Sequence, residues 1–170
     1  MNNFEEIWEI YMEAFPIDER RSRIKQWRLL DNPQYKMKPY VKEGQLIGFM
    51  GIWELPLFAF IEHFAIKKEF RGSGYGTEML KELLKSSGSG IILEVEPPEN
   101  KVAQDRIAFY QRHGFVLNTY DYVQPPYEDG QKYLPLLLMS FPEMLTKEAF
   151  DEAVEMIYKF VYEISVGETP

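Results

Sequence analysis

A chain of 170 residues with 45% apolar content can bury one sizeable core and is short for two, so one domain spanning residues 1–170 is expected. The absence of cysteine removes a thiol nucleophile, an acyl-cysteine relay, disulfides and thiolate metal sites. Two histidines, His63 and His113, are too few for a histidine cluster, so no metal is expected. A formal charge of −8 argues against broad nucleic-acid binding, which runs on a basic surface, and mildly favours cationic partners such as amines.

The first residues lack the basic and apolar blocks of a secretion signal, and no apolar run reaches membrane-spanning length. A cytoplasmic protein without membrane contact is expected. Phe4, Ile7, Trp8, Ile10, Tyr11 and Phe15 recur at helical spacing opposite Glu5, Glu6, Glu9 and Glu13, and Pro16 closes this first helix. The spacing predicts a second helix over about Asp18 to Leu30, with Ile24, Trp27 and Leu30 as its apolar stripe. Arg20, Arg21, Arg23, Lys25 and Arg28 read as its solvated face, with an acceptor-facing patch as the alternative.

Strands are predicted from Tyr35 to Lys42 and from Gln45 to Glu54 around a Glu43-Gly44 hairpin turn. Pro56 breaks the chain before a third strand, Phe58 to Ile66, charged only at Glu62. The three are expected to be antiparallel neighbours. Then come a short charged connector, the turn Arg71-Gly72-Ser73-Gly74-Tyr75-Gly76-Thr77 and a helix with Met79, Leu80, Leu83 and Leu84 on one face. Glycines at 72, 74 and 76 let the backbone come close to a ligand, and a helix start offers unpaired N–H groups and partial positive charge. With Arg71 alongside, the stretch reads as an anion cradle. No Gly-Lys pair exists for a phosphate-binding P-loop, Met79 or Thr77 stands where a dinucleotide fingerprint needs its third glycine, and no Gly-x-Ser-x-Gly elbow occurs.

After the polar stop Ser86–Gly90, the apolar run Ile91 to Glu96 closed by Pro97-Pro98 predicts a buried strand reached by a right-handed parallel crossover. A helix from about Lys101 to His113 then ends at Gly114, as a C-cap should.

Two pieces of this pattern together, Arg71-x-x-Gly74-x-Gly76 after a strand and Tyr110-x-x-x-Gly114-Phe115 at a helix end, resemble the signature of the GNAT superfamily of N-acetyltransferases. The resemblance covers about Tyr35 to Ser140, with Phe115 to Asn118 and Tyr133 to Ser140 as closing strands around a long loop containing Pro125–Gly130. It implies an α/β (α+β-like) fold: a mixed, largely antiparallel sheet flanked by helices, with residues 1–140 as family core and 141–170 as a C-terminal helical extension. In that extension Phe150, Val154, Ile157, Val161 and Ile164 form a stripe between Thr146 and Ile164 that packs on its own domain or makes a homodimer contact.

The resemblance further implies acetyl coenzyme A as acyl donor, its pyrophosphate on Arg71 to Thr77 and its pantetheine arm along Phe64, Ala65 and Ile66. The acceptor is then a small-molecule or peptide amine, acetylated directly in a ternary complex. Tyr110 is the family's candidate acid for the departing thiolate. Glu62, a carboxylate on an apolar strand where burial could raise its pKa, is the candidate base, with a solvated or ion-paired Glu62 as the alternative. His63 points to the opposite face unless a bulge reverses the alternation. A non-catalytic acyl coenzyme A binding module and a nucleotide-phosphate enzyme remain as other classes.

Overall fold

The computed structural model describes residues 4–164, so the start Met1–Asn3 and the end of the expected extension, 165–170, lie outside the described residues. Helix α1 (Phe4–Ala14) leads through a 3-10 turn (Ile17–Glu19) to α2 (Arg23–Leu29) and the strands β1 (Tyr35–Lys42), β2 (Gln45–Glu54) and β3 (Phe58–Ile66). A second 3-10 turn (Lys68–Phe70) precedes α3 (Tyr75–Ser86), β4 (Gly90–Val95), α4 (Lys101–Arg112), β5 (Val116–Leu117), β6 (Tyr122–Gln124), β7 (Leu134–Phe141) and α5 (Lys147–Phe160). The sheet order is β1-β2-β3-β4-β7-β5, with β6 also on β7, and only the β3–β4 pair is parallel.

Helices cover both faces, as a sheet with apolar residues on both sides requires. Met79, Leu80 and Leu83 of α3 and Ile107 and Tyr110 of α4 pack with Ile61, Ile91 and Leu93 on one face. On the other, α5 packs Phe150, Ala153 and Ile157 against Phe60, Ile92 and Leu138, while Ile7, Ile10 and Tyr11 of α1 meet Phe49 and Ala65. Thus α5 covers its own sheet, one of the two readings of its stripe, although the helix stops at Phe160 rather than Ile164.

The second helix departs from expectation. It is seven residues long, Ile24 and Trp27 of the expected stripe are exposed, and the inward position belongs to Gln26, whose Nε2 donates to Tyr35 Oη at 2.8 Å. A buried amide bonded to a phenol replaces apolar burial, which hydropathy patterning does not detect. Nor is the basic run wholly a solvated face: Arg21 lies before the helix and is buried. The short strand β6 lies in a stretch that reads as loop by sequence.

Two irregularities shape the site. The β2–β3 register shifts between Gly51 and Ile52, which pair with His63 and Ile61 and leave Glu62 as the extra residue of a bulge. Alternation reverses there: Ile61 faces α3 and α4, whereas His63 and Ala65 face α1. Meanwhile β3 and β4 pair only from Phe58 with Gly90 to Ile61 with Leu93, then part. The opened sheet leaves a cleft between Glu62–Ile66 and Glu94–Glu96.

Candidate active site

The turn Arg71–Thr77 sits at the end of β3 and opens α3. Gly72 and Gly74 have φ of +78° and +86°, a left-handed backbone that costs other residues strain, and a Cβ at either would meet nothing within 4 Å, so their outer sides are open. Gly74 occupies the N-cap position and has no side chain to cap with, which leaves the first N–H groups of α3 available to a ligand. Glu78, the first-turn carboxylate, is engaged by Tyr40 at 2.7 Å and Lys42 at 3.0 Å. Arg71 donates from Nε to Ile66 O at 3.0 Å, tying the turn to the strand end.

A groove of about 580 Å³ runs along this turn, walled by Phe64, Ile66, Arg71, Gly72, Gly74, Tyr75, Gly76, Thr77, Arg106, Phe109 and Tyr110. It shares Phe64, Ile66, Arg71, Arg106 and Tyr110 with the cleft of about 320 Å³ between the parted strands. Ala65 lines the cleft alone, and Ser73 lines neither space. The residues present suit a long ligand with a phosphate end: free N–H groups and a guanidinium at the turn, apolar walls beyond it, and the open β3 edge further in.

Tyr110, 7% exposed on α4, stands where groove and cleft join. Burial pushes its phenol up to about 12, against the opposing charge of Arg106, so at neutral pH it holds its proton. Arg106 is itself paired with Glu96 at 2.6 Å on the cleft wall.

Glu62 is placed otherwise than its sequence suggests. The bulge turns its main chain toward the cleft while its side chain is 0% exposed, and Oε1 pairs with Nη1 of Arg21 at 2.6 Å. Trp53 Nε1 donates to Oε2 at 2.9 Å and Tyr127 Oη to Oε1 at 3.0 Å. Burial alone would push this carboxyl up, but the Arg21 guanidinium, with His63 and Trp53 beside it, outweighs burial and holds it down to about 2. The raised pKa expected of an apolar strand is therefore absent, and a carboxylate so held is a poor acceptor for an amine's proton at neutral pH. His63 shares the face of Glu62, its Nδ1 3.6 Å from Oε2. Its Nε2 lies 3.0 Å from Glu19 O, which can only accept, so that nitrogen carries a hydrogen.

The carboxylate that patterning passed over is Glu94. It follows Leu93, the last β4 residue paired with β3, and lines the cleft across from Glu62. Tyr162 donates to it at 3.0 and 3.1 Å, Tyr122 also donates, and among the described residues no lysine or arginine pairs with it. Burial pushes it up to about 8; the two hydroxyls pull it down, and the negative charges of Glu62 and Glu19 add to the rise. Two carboxylates on facing strands thus differ in proton affinity, the arrangement that separates a proton acceptor from a fixed charge. The signal available in sequence was a lone charge within Ile91-Ile92-Leu93-Glu94-Val95. Arg21, Tyr127 and Tyr162 carried none, being far from Glu62 and Glu94 in the chain.

Among the described residues no group of His, Cys, Asp or Glu is arranged to hold a metal ion, and no helix is long and apolar enough to cross a membrane.

Comparison with known proteins gives the family and the fold. The model of the acetyltransferase (GNAT) family matches residues 3–115. A Bacillus subtilis (strain 168) protein provisionally named acetyltransferase YjbC is 30% identical over 110 residues, 64% of this chain and only 55% of the length of that relative. A solved structure from Bacteroides thetaiotaomicron, provisionally described as a GNAT-family acetyltransferase, superposes with a TM-score of 0.91 at 32% identity, covering 96% of this chain and 93% of its own. The ribosomal-protein-S18-alanine N-acetyltransferase of Escherichia coli shares the fold at a TM-score of 0.63 and 18% identity, over 87% of this chain and 92% of its own.

Proposed function

The chain belongs to the acetyltransferase (GNAT) family, and from that premise we propose that it moves the acetyl group of acetyl coenzyme A to a primary amine, by direct attack in a ternary complex. The observation that carries this reading is the continuity of the groove at the glycine turn with a cleft holding a carboxylate able to take a proton and a phenol able to give one.

The N–H groups at the start of α3 and the Arg71 guanidinium hold the diphosphate, and the edge of β3 at Phe64, Ala65 and Ile66 holds the pantetheine arm. When bound, acetyl coenzyme A supplies the thioester carbonyl that is attacked and the sulfur that leaves. An alkylammonium must lose a proton before it can attack, and Glu94 takes it. Tyr110 gives its proton to the departing sulfur and regains one from the nitrogen of the adduct, which must shed its second proton to become an amide. Glu62, fixed as an anion by Arg21, keeps the bulge and its partners in place and stays outside proton transfer.

The acceptor enters past Glu19 and Glu96, and a cleft bordered by carboxylates favours a small-molecule or peptide amine that arrives as a cation. The described residues 4–164 act as one domain, since α5 packs on the sheet and Tyr162, two residues past it, bonds Glu94 on the cleft wall. Calorimetry with acetyl coenzyme A and with ATP, followed by thiol release over a panel of amines, tests the reading. Binding of acetyl coenzyme A but not ATP, with amine-dependent release, is expected. Failure to bind acetyl coenzyme A refutes the reading, and binding without turnover by any amine would make the chain an acyl coenzyme A binding module.

A further inference from the structure

Glu94 does not titrate alone. Tyr122 on β6 and Tyr162, two residues past α5, donate to it; Glu62 with Arg21 and Tyr127 lies across the cleft, Glu19 borders it, and Tyr158 on α5 turns its hydroxyl to Val123 O at 2.6 Å. Tyr162 Oη is also 3.3 Å from Tyr127 Oη. Tyr162 and Tyr127 are 8% and 9% exposed, so water is a poor substitute for either contact.

The hydrogens can be counted. Each phenol has one, and Tyr127 commits its own to Glu62 at 3.0 Å. While Glu94 is ionised, Tyr162 gives its hydrogen to the carboxylate and the 3.3 Å contact with Tyr127 stands idle. Once Glu94 carries a proton, that proton can be donated to Tyr162 Oη, and the Tyr162 hydrogen turns to the free lone pair of Tyr127. No buried hydroxyl is then left unmatched in either state.

We propose that Tyr162 is a positioning residue for acetyl transfer, a hydroxyl that changes partner so that Glu94 is hydrogen-bonded both before and after it takes the amine's proton. This rests on the reading of Glu94 as proton acceptor. The segment is fastened for the purpose: Arg21 Nη2 donates to Val161 O at 2.8 Å, and Ile164 N donates to Tyr158 O at 3.0 Å. The arginine that fixes Glu62 as an anion thus also holds the residue beside Tyr162.

The test is the titration of Glu94, followed by the side-chain carboxyl carbon in 13C-glutamate-labelled protein, with the signal assigned by its loss in Glu94→Gln. Tyr162→Phe removes a charge-assisted bond to the ionised form and a weaker neutral bond to the protonated form, so the midpoint should rise, by about one pH unit. Tyr127→Phe removes the oxygen that Tyr162 turns to and should lower it. An unmoved midpoint in folded Tyr162→Phe overturns the proposal; if that variant does not fold, a midpoint unmoved or raised in Tyr127→Phe does so. The underlying reading fails separately, and the proposal with it, if Glu94→Gln keeps the wild-type pH profile of kcat/KM.

Discussion

Replacing Arg21 by Met isolates the interaction that sets Glu62 apart from Glu94. The guanidinium and carboxylate are 2.6 Å apart with side chains 7% and 0% exposed. With charge centres about 4 Å apart and an effective dielectric of about 20, their attraction is about 4 kcal/mol. Removing one member of a buried pair typically costs about 3–5 kcal/mol, because the other charge is left without its partner. Since whole domains are stable by about 5–15 kcal/mol, the loss is large yet survivable.

Acidification supplies the sign. In the wild type the carboxyl is lowered from 4.5 to about 2, so its contribution of about 3 kcal/mol is complete above 4.5 and is lost as pH falls toward 2. In the variant burial prevails over the remaining Trp53 and Tyr127 donors, and the carboxyl rises above its unfolded value. Protonation then relieves the variant, and its deficit narrows between pH 7 and pH 5. Urea unfolding followed by tryptophan fluorescence at both pH values measures this, with Glu62→Gln added as a double-mutant cycle. A cost below about 1 kcal/mol at pH 7, or a deficit that widens at pH 5, refutes the assignment of Glu62 as a fixed anion.

Tyr110→Phe should lower kcat by about 10²-fold or more and leave acetyl coenzyme A affinity unchanged in calorimetry; an unchanged kcat removes Tyr110 from proton donation. Gly74→Ala forces a methyl-bearing residue to φ +86° with no steric clash, so it should destabilise by about 1–2 kcal/mol and weaken acetyl coenzyme A binding; unchanged affinity in a folded variant would count against the turn as the phosphate cradle. Gly48→Ala is more severe, because its Cβ would stand 2.3 Å from Ala65 O across the β2–β3 pair; a melting temperature no lower than that of Gly74→Ala would contradict that geometry.

What the sequence reveals about this chain follows the range over which its physics acts. The cradle is legible because glycine φ values, helix starts and apolar faces are local, and the observed helix opens at Tyr75, within the glycine turn that the pattern marks. The second helix is misread because Gln26 buries an amide on a phenol while Ile24 and Trp27 lie outside. At the cleft, local patterning sees two carboxylates in apolar strands and cannot rank them. What ranks them is a distant arginine that pairs with Glu62, while Glu94 is buried with only the hydroxyls of two distant tyrosines for partners, all of them brought by the fold. The bulge has a faint trace in Gly51, opposite His63, since strand glycines often mark such places.

The pH dependence of amine-dependent thiol release from acetyl coenzyme A, compared between wild type and Glu94→Gln, tests the role of Glu94 most directly. With Glu94 held up to about 8, the wild-type kcat/KM should rise with pH through that region as the carboxylate becomes free to accept a proton, and Glu94→Gln should lose this limb along with most of the rate. A Glu94→Gln enzyme with wild-type rate and profile would contradict the account.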